Sequence, residues 1–288
     1  MNLNSLFVSA AAWAARILPG RVKKTLYASP TLARTIRAGL NRAVRAGFTE
    51  TTIAGGDLKG YRLVLDLQSE KDYWLGTYEP ELQDAIREFI RPGYVVYDLG
   101  AGIGYVSLLF ARAVTSSGKV YSFEPLPANL ERLKKHISLN GLEDRVKIEP
   151  YAVIDATRLV EFALGPSVAM GKVVGSTGRE DQFYGERIFV EGIALDEYVF
   201  GQGNPEPDVI KIDIEGGESL ALPGMRGMLM KQHPIIFLEL HGAEAASRSW
   251  LALKEAGYKI CWMKAGYPAV KSAGDLDWKA YLVALPEV

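Results

Sequence analysis

The chain contains few of the residues that form disulfides and metal clusters. Its 288 residues include one cysteine, Cys261, and three histidines, which excludes an internal disulfide, a cysteine-based zinc cluster and a histidine-rich metal site. A long apolar run is also missing. Residues 6–15 are too few to span a bilayer, and no basic residue precedes them as in a signal peptide. We therefore expect a cytoplasmic protein with one substantial hydrophobic core.

Positive charge is concentrated at the start of the chain. Residues 1–50 carry eight basic residues and one acid, a formal charge of +7, whereas the remaining 25 basic and 33 acidic residues give −8. Apolar residues recur there at helical spacing, which predicts a basic, amphipathic helical extension at residues 1–50 and a separate domain at 51–288. Three interpretations stay open: the extension packs on the domain or on a second subunit of a homo-oligomer, residues 1–48 contact an anionic membrane surface, or the extension binds a polyanionic acceptor.

From residue 51 onward, strand-like and helix-like segments alternate. A β-hairpin is predicted for residues 51–54 and 61–67. Further strands are predicted at 94–99, 119–123, 146–149, 208–212, 235–240, 258–263 and 280–285, with the main helices at 82–90, 105–114, 128–140 and 243–256. This alternation predicts an α/β fold with a parallel sheet covered on both faces. Residues 155–199 do not follow this alternation of strands and helices. Their pattern predicts an inserted hairpin or loop on the substrate side.

The most informative segment is a glycine loop, residues 100–104. A hydrophobic strand reaches Asp98, glycine then occupies alternate positions at 100, 102 and 104, and a helix follows. Glycines let a backbone turn sharply and approach a ligand without a Cβ in the way. Twenty residues after Gly104, Glu124 ends the next strand, where its carboxylate can accept both hydroxyls of a ribose.

The glycine spacing distinguishes two adenosine cofactors. NAD sites use G-x-G-x-x-G to place a pyrophosphate on a helix N-terminus, but here the third glycine comes one residue early. Asp98 would repel a pyrophosphate, whereas a carboxylate suits the ammonium and sulfonium of S-adenosylmethionine (SAM). The loop favours SAM over NAD. An NAD-dependent oxidoreductase and a non-catalytic scaffold are the alternatives, and the acids at 98, 124 and 213 argue against a scaffold.

Several longer segments resemble one family. They are residues 74–81, the glycine loop with its strand, and residues 123–129, 194–198, 208–218 and 234–241. On these segments the chain resembles the FkbM family of class I SAM-dependent methyltransferases over about residues 70–245. Ala101 departs from the family, which often has asparagine there, but a small residue is acceptable in such a loop. The resemblance implies a Rossmann-like methyltransferase sheet, mostly parallel with an antiparallel last strand.

The resemblance also implies a set of SAM-binding residues. Asp98 and the loop glycines would line the methionine end, Glu124 would hold the ribose, and Ala152 would lie near the adenine. Glu79 would approach the amino group, unless it only serves a helix N-terminus. The implied set is Glu79, Asp98, Gly100, Ala101, Gly102, Gly104, Tyr105, Glu124, Pro125, Asn129, Ala152 and Asp213.

Two later strands end in a second group of polar residues, Asp213 with Glu215 and Glu239 with His241. In the usual methyltransferase strand order they converge at the cofactor mouth. Asp213 or His241 could be a general base, with histidine the better match to neutral pH. Alternatively, all four could bind a divalent cation, which the spacing permits but does not require. They could also be structural, with Glu215 or Glu218 capping a helix and Glu239 pairing with a lysine or arginine.

Two further expectations concern His136 and the acceptor. His136 stands beside Lys134 and Lys135 in a predicted helix, so we expect it to face solvent and assign it no role. The family resemblance favours O-methylation of a sugar, glycolipid or natural product by in-line transfer, and N-methylation stays open. No nucleic-acid partner is expected, because acids interrupt the basic residues of 131–147 and no aromatic residues interleave them.

Overall fold

The computed structural model describes residues 47–165, 171–177, 184–276 and 279–287. The chain divides into two units, one ending at Pro80 and the other beginning at Glu81. The basic extension predicted at residues 1–50 lies almost entirely outside the described residues, so the extension and its boundary stay predictions. Within the described part, no helix is both long enough and apolar enough to cross a membrane.

The described residues of the first unit form the predicted β-hairpin and a short helix. Strand β1 (Phe48–Thr52) pairs antiparallel with β2 (Arg62–Asp66), and helix α1 (Lys71–Leu75) follows. Gly76 ends the helix in a left-handed conformation, and a Cβ at this position would overlap the backbone of Gly55. Glycine is therefore required where the hairpin turn meets the helix.

A seven-stranded sheet forms the centre of the second unit. Its strands are β3 (Val95–Leu99), β4 (Lys119–Phe123), β5 (Val146–Glu149), β10 (Val209–Ile212), β11 (Ile235–His241), β12 (Tyr258–Trp262) and β13 (Lys279–Pro286). Their order across the sheet is β12-β13-β11-β10-β3-β4-β5. Only β13 runs antiparallel to its neighbours, so the predicted mostly parallel sheet with an antiparallel last strand is confirmed.

Helices separate the strands and bury their apolar faces. The main ones are α2 (Pro80–Phe89), α3 (Tyr105–Val114), α4 (Pro127–Leu139), α5 (Glu218–Ala221), α6 (Arg226–Lys231) and α7 (Ala243–Glu255). Helix α4 carries proline in its first turn, where the missing N–H costs no helical hydrogen bond. The strands between the helices are nearly continuous runs of buried apolar residues, as a sheet covered on both faces requires.

The irregular region after β5 forms a second sheet, which is larger than the hairpin or loop predicted there. Its strands are β6 (Ala152–Val153), β7 (Arg158–Leu164), β8 (Gly171–Val173) and β9 (Arg187–Ile193), in the order β6-β9-β7-β8. Val160, Phe162 and Val190 face a small apolar core beneath these strands. After β8, the N–H of Thr177 donates to the carbonyl of Gly216 at 3.2 Å, which brings the inserted sheet beside the carboxyl end of β10.

Candidate functional site

The predicted glycine loop follows β3 at the carboxyl edge of the main sheet. Gly100, Gly102 and Gly104 all have positive φ, at 75°, 55° and 88°. A Cβ on Gly100 would overlap the carbonyl oxygen of Asp213, and one on Gly104 would overlap the side chain of Leu133. A Cβ on Gly102 would meet no described atom within 4 Å. Gly100 and Gly104 thus permit close packing, whereas Gly102 leaves room for a ligand to approach the backbone.

Glu124 follows β4 and contacts the glycine loop. Its Oε2 accepts a hydrogen bond from the N–H of Gly102 at 2.8 Å, and its Oε1 accepts one from Leu126 at 2.8 Å. Burial raises the pKa of Glu124 to about 7, although hydrogen bonds from Leu126, Gly102 and Asn129 oppose the rise. Each carboxylate oxygen has a second lone pair, so a ribose hydroxyl can still donate to it. This arrangement suits the predicted ribose contact of SAM.

Asp98 lies in β3 with its side chain fully buried. Its Oδ2 accepts a hydrogen bond from Ser107 at 2.6 Å, and Oγ of Ser107 lies 2.8 Å from Oγ of Ser122. The pKa of Asp98 is raised above its usual value, because the effect of burial outweighs the opposing effect of the nearby Lys211 ammonium. Protein groups therefore already surround this carboxylate, and its contact with the ammonium of SAM stays a prediction.

Lys211 is a site residue that the sequence reasoning missed. It lies opposite Asp98 in the parallel pairing of β10 with β3, and only 5% of it is exposed. Its Nζ is 3.6 Å from Oδ1 of Asp98, 3.1 Å from Oδ2 of Asp213 and 3.5 Å from the carbonyl oxygen of Gly100. Lys211 thus links two acids beneath the glycine loop. A lysine inside the otherwise apolar strand β10 was the signal that could have identified it.

A cluster of acids surrounds His241 at the ends of β10 and β11; we call Asp213, Glu215, Glu218, Glu239 and His241 the histidine cluster. The Nδ1 atom of His241 is 3.1 Å from Oε1 of Glu218. Its Nε2 is 3.0 Å from Glu239, 3.8 Å from Glu215 and 4.0 Å from Asp213. The four predicted residues therefore do converge, and Glu218 joins them.

Charge interactions dominate the titration of the histidine cluster. Burial alone would lower the pKa of His241, but the hydrogen bond to Glu218 and the nearby carboxylates of Glu239 and Asp213 raise it to about 10. The pKa of Glu239 falls to about 2, because His241 and Lys279 together outweigh its burial. Without a bound cation, His241 is therefore protonated at neutral pH and cannot accept a further proton, contrary to the expectation that histidine suits this role.

The structural interpretation holds in part, because Glu239 pairs with a lysine as predicted but no side chain of the described residues caps helix α5 through a hydrogen bond. Oε1 of Glu218 accepts a hydrogen bond from the N–H of Gly216 at 3.2 Å, just before helix α5. Glu239 pairs with Lys279 at 2.6 Å. The cation interpretation also keeps its geometry, because Asp213, Glu239 and His241 each offer one ligand atom and these atoms lie within 4.8 Å of one another.

The remaining predicted SAM residues take varied positions. Ala101 lies in the glycine loop, where its N–H donates to the carbonyl of Phe123 at 3.0 Å. Ala152 is buried in the core of the inserted sheet, and Glu79 lies in the first unit with a φ of 42°. Tyr105 directly follows the glycine loop as the first residue of α3. Pro125, which is partly exposed, follows Glu124, and buried Asn129 forms a hydrogen bond with Glu124. Their contacts with SAM stay predictions.

His136 does not face solvent, so that expectation is wrong. The side chain is fully buried, and its Nδ1 lies 2.7 Å from the carbonyl oxygen of Ile103 in the glycine loop. The helical period explains the error. Asn129, Leu133 and His136 share one face of α4, and that face packs inward, whereas Lys135 points out. Counting this period along the helix could have placed His136 correctly.

Comparison with known proteins finds several methyltransferases that are similar to this chain. The family model described as the methyltransferase FkbM domain matches residues 98–260. The chain is 27% identical to the hexuronic acid methyltransferase AglP of Haloferax volcanii, over 64% of this chain and 73% of that protein. It is 24% identical to the 31-O-demethyl-FK506 methyltransferase FkbM of Streptomyces tacrolimicus, over 57% and 72%. A structure of methyltransferase FkbM from Methylobacillus flagellatus matches with a TM-score of 0.42 and 18% identity, over 76% of this chain and 53% of that one.

Proposed function

The chain belongs to the FkbM family of SAM-dependent methyltransferases, and from that premise we propose that it methylates a hydroxyl oxygen on a sugar, glycolipid or natural-product acceptor. The names of two relatives support this choice, since one is called a hexuronic acid methyltransferase and the other a 31-O-demethyl-FK506 methyltransferase. The observation that carries the proposal is the packing of the Asp213 backbone directly against Gly100, which positions the partly exposed Asp213 side chain beside the glycine loop. A carboxylate there is suited to take a proton beside the methyl donor.

The glycine loop is suited to hold the cofactor. SAM supplies an electrophilic methyl group on a positively charged sulfur. The open backbone at Gly102 would receive the nucleoside, and the carboxylate of Glu124 would accept the ribose hydroxyls. Asp98 and Asp213 would add negative charge near the sulfonium and ammonium groups. Together these residues would orient the methyl group toward an acceptor that enters from the side of Asp213.

We assign the role of proton acceptor to Asp213. Its side chain is 20% exposed, so an acceptor hydroxyl can reach it, whereas the side chain of His241 is only 1% exposed. Lys211 contacts Asp213 at 3.1 Å and would keep its carboxylate oriented. The hydroxyl would pass its proton to this carboxylate as its oxygen takes the methyl carbon and the carbon–sulfur bond breaks.

Replacing Asp213 by asparagine tests this role. We expect Asp213→Asn to lower kcat by about 10²- to 10⁴-fold, the usual contribution of a general base, and to weaken SAM binding by a much smaller factor, because one negative charge near the sulfonium is removed. Single-turnover transfer of labelled methyl and calorimetric titration with SAM would measure the two effects. Asp84→Asn is the matched control, because Asp84 is an exposed carboxylate on helix α2 that pairs with Arg87 one turn along that helix. Normal turnover by Asp213→Asn would contradict the assignment.

The acceptor class needs a separate experiment. Labelled SAM is added with the protein to a cell extract, which is then fractionated into lipids, glycans and small molecules. We expect the label in one of these pools as an acid-stable methyl ether. A label on nitrogen would contradict O-methylation while leaving methyl transfer intact.

The partners and the location are also part of our proposal. The single cysteine supports a reducing, cytoplasmic setting, and the interrupted basic residues of 131–147 support a partner other than nucleic acid. The +7 charge of residues 1–50 supports contact with an anionic membrane surface or with the acidic domain of a second subunit. Of that segment, the structure describes only residues 47–50.

A further inference from the structure

We propose that Asp213, Glu239 and His241 form a binding site for a divalent cation of the first transition row, such as Mn²⁺. This inference deepens the proposed function, since the cation would lie beside the acceptor hydroxyl. The three residues come from the ends of β10 and β11, which are neighbours in the sheet. Each presents one ligand atom, and these atoms lie within 4.8 Å of one another.

The spacing of the ligand atoms is close to what one cation requires. Metal–ligand bonds to carboxylate oxygen and imidazole nitrogen are about 2.1 Å long, so two ligands on opposite sides of a cation lie about 4.2 Å apart. The observed limit of 4.8 Å exceeds this by a few tenths of an ångström. Small rotations of the carboxylates would close the site without a change in the backbone.

His241 is oriented as a metal ligand would be. Its Nδ1 lies 3.1 Å from Oε1 of Glu218, which itself is fixed by the N–H of Gly216. Metal-binding histidines usually donate their second ring N–H to a carboxylate in this way, and the other nitrogen then faces the metal. The Nε2 atom is buried and makes no aligned hydrogen bond with the described residues, although Glu239 lies 3.0 Å away. This nitrogen points into the cluster.

The charge around His241 gives a second reason. Carboxylate oxygens of Asp213, Glu215, Glu218 and Glu239 all lie within 4.0 Å of this one imidazole. Lys279 pairs with Glu239, and Lys211 is shared between Asp213 and Asp98, so in these contacts five acids share at most three positive charges. Concentrating acids in a nearly buried site is unfavourable unless cations compensate them. A divalent cation would stabilise the cluster more than a proton does. The imidazole ligand favours a transition metal over Mg²⁺ or Ca²⁺, which prefer oxygen ligands alone.

A cation at this site would make the acceptor hydroxyl more acidic. The acceptor oxygen would bind the cation as a further ligand, and the positive charge would favour loss of the hydroxyl proton. That proton would still pass to Asp213, through the carboxylate oxygen that does not bind the cation. The oxygen then forms its bond to the methyl carbon of SAM while the carbon–sulfur bond breaks. The cation itself is neither oxidised nor reduced.

Manganese binding by the full chain tests the site without any methyl transfer. The chelator-treated protein is titrated with Mn²⁺ alone, and free Mn²⁺ is followed by electron paramagnetic resonance. We expect one cation per chain, and we expect His241→Gln or Glu239→Gln to weaken its affinity at least about tenfold. Glu149→Gln is the matched control: Glu149 is also a buried carboxylate, but it contacts Tyr198 at the far edge of the sheet, so affinity should not change.

The outcomes separate this inference from the proposed function. If the wild-type chain leaves the Mn²⁺ signal unchanged at equimolar concentration, or if both variants bind like the wild type, the cation site is wrong. Methyl transfer that persists in chelator would then leave the proposed function standing. If a variant does not fold, the unfolding temperature of the wild-type chain is measured with and without Mn²⁺. Binding to the folded chain must raise this temperature. Bound Mn²⁺ with no methylated product would instead contradict the proposed function alone.

Discussion

The two acidic regions at the carboxyl edge of the sheet hold their charges in different ways. On one side, Glu124 accepts hydrogen bonds from the backbone of Gly102 and Leu126. On the other side, Glu239 is held by the charges of His241 and Lys279. A carboxylate held by backbone dipoles keeps lone pairs for a neutral group such as a ribose hydroxyl. A carboxylate surrounded by charges suits a charged ligand, so the two regions divide cofactor binding from acceptor chemistry.

Gly100 lies in the glycine loop and packs against Asp213 of the histidine cluster, so it connects the two regions. Its substitution is expected to cause the largest loss of stability and of SAM binding. In Gly100→Ala, the new Cβ would overlap the carbonyl oxygen of Asp213 at a φ of 75°. Left-handed backbone costs roughly 1–2 kcal/mol and overpacking roughly 1–3 kcal/mol, so we expect a loss of about 3 kcal/mol in the free energy of unfolding. SAM binding should also be lost, because the loop and β10 must separate. Chemical denaturation and calorimetry measure both quantities.

Gly102→Ala is the control for this change. Its φ of 55° is also left-handed, but the added methyl group meets open space among the described residues. We expect a cost of only about 1 kcal/mol in stability, together with weaker SAM binding since the methyl group enters the space predicted for the nucleoside. Equal stability losses in the two variants would show that the contact between Gly100 and Asp213 is less tight than described.

The pH dependence of SAM binding tests the role of Glu124 in the cofactor region. Its pKa is raised to about 7, and only the ionised carboxylate accepts hydrogen bonds from both ribose hydroxyls. Protonation dominates below that value, so the affinity for SAM should fall as the pH drops. Between pH 8 and pH 6 the ionised fraction falls by about tenfold, and the affinity should fall by about the same factor.

Calorimetric titrations with SAM at pH 6, 7 and 8 measure this dependence. Glu124→Gln should bind SAM more weakly at pH 8 and should lose most of the variation with pH. If the wild-type affinity stays constant over this range, Glu124 does not bind the cofactor in its ionised form.

The smallest expected effect concerns the support of the glycine loop by α4. His136→Leu removes the partner of the Ile103 carbonyl oxygen, which lies 2.7 Å from Nδ1. A buried carbonyl left without its partner costs about 1–3 kcal/mol, and we place this change near the lower end, with a less than tenfold loss of SAM affinity. Lys135→Ala, an exposed neighbour on the same helix, should stay within about 0.5 kcal/mol of the wild type. Equal stability of the two variants would mean that the glycines alone determine the loop.

Local patterns were sufficient for the loop and for most of the sheet. Helix α3 begins and ends as predicted at Tyr105 and Val114, because Gly104 and the apolar period both mark it within a few residues. The inserted sheet was underestimated, since its short strands have weak alternation and pair over long sequence distances. Lys211 was missed for a similar reason: its partner Asp98 lies in another strand, and only the pairing of β10 with β3 places them opposite each other.

What the sequence by itself determined is the cofactor side: a strand, a loop of three glycines, a helix and an acid at the next strand end. These features depend on backbone freedom and apolar periodicity, which act between residues close in the chain. Only the tertiary structure decided the composition of the histidine cluster. Antiparallel β13 brings Lys279 opposite His241, and the start of α5 supplies Glu218. Contacts between charges on separate elements depend on sheet order and register, which no local pattern specifies.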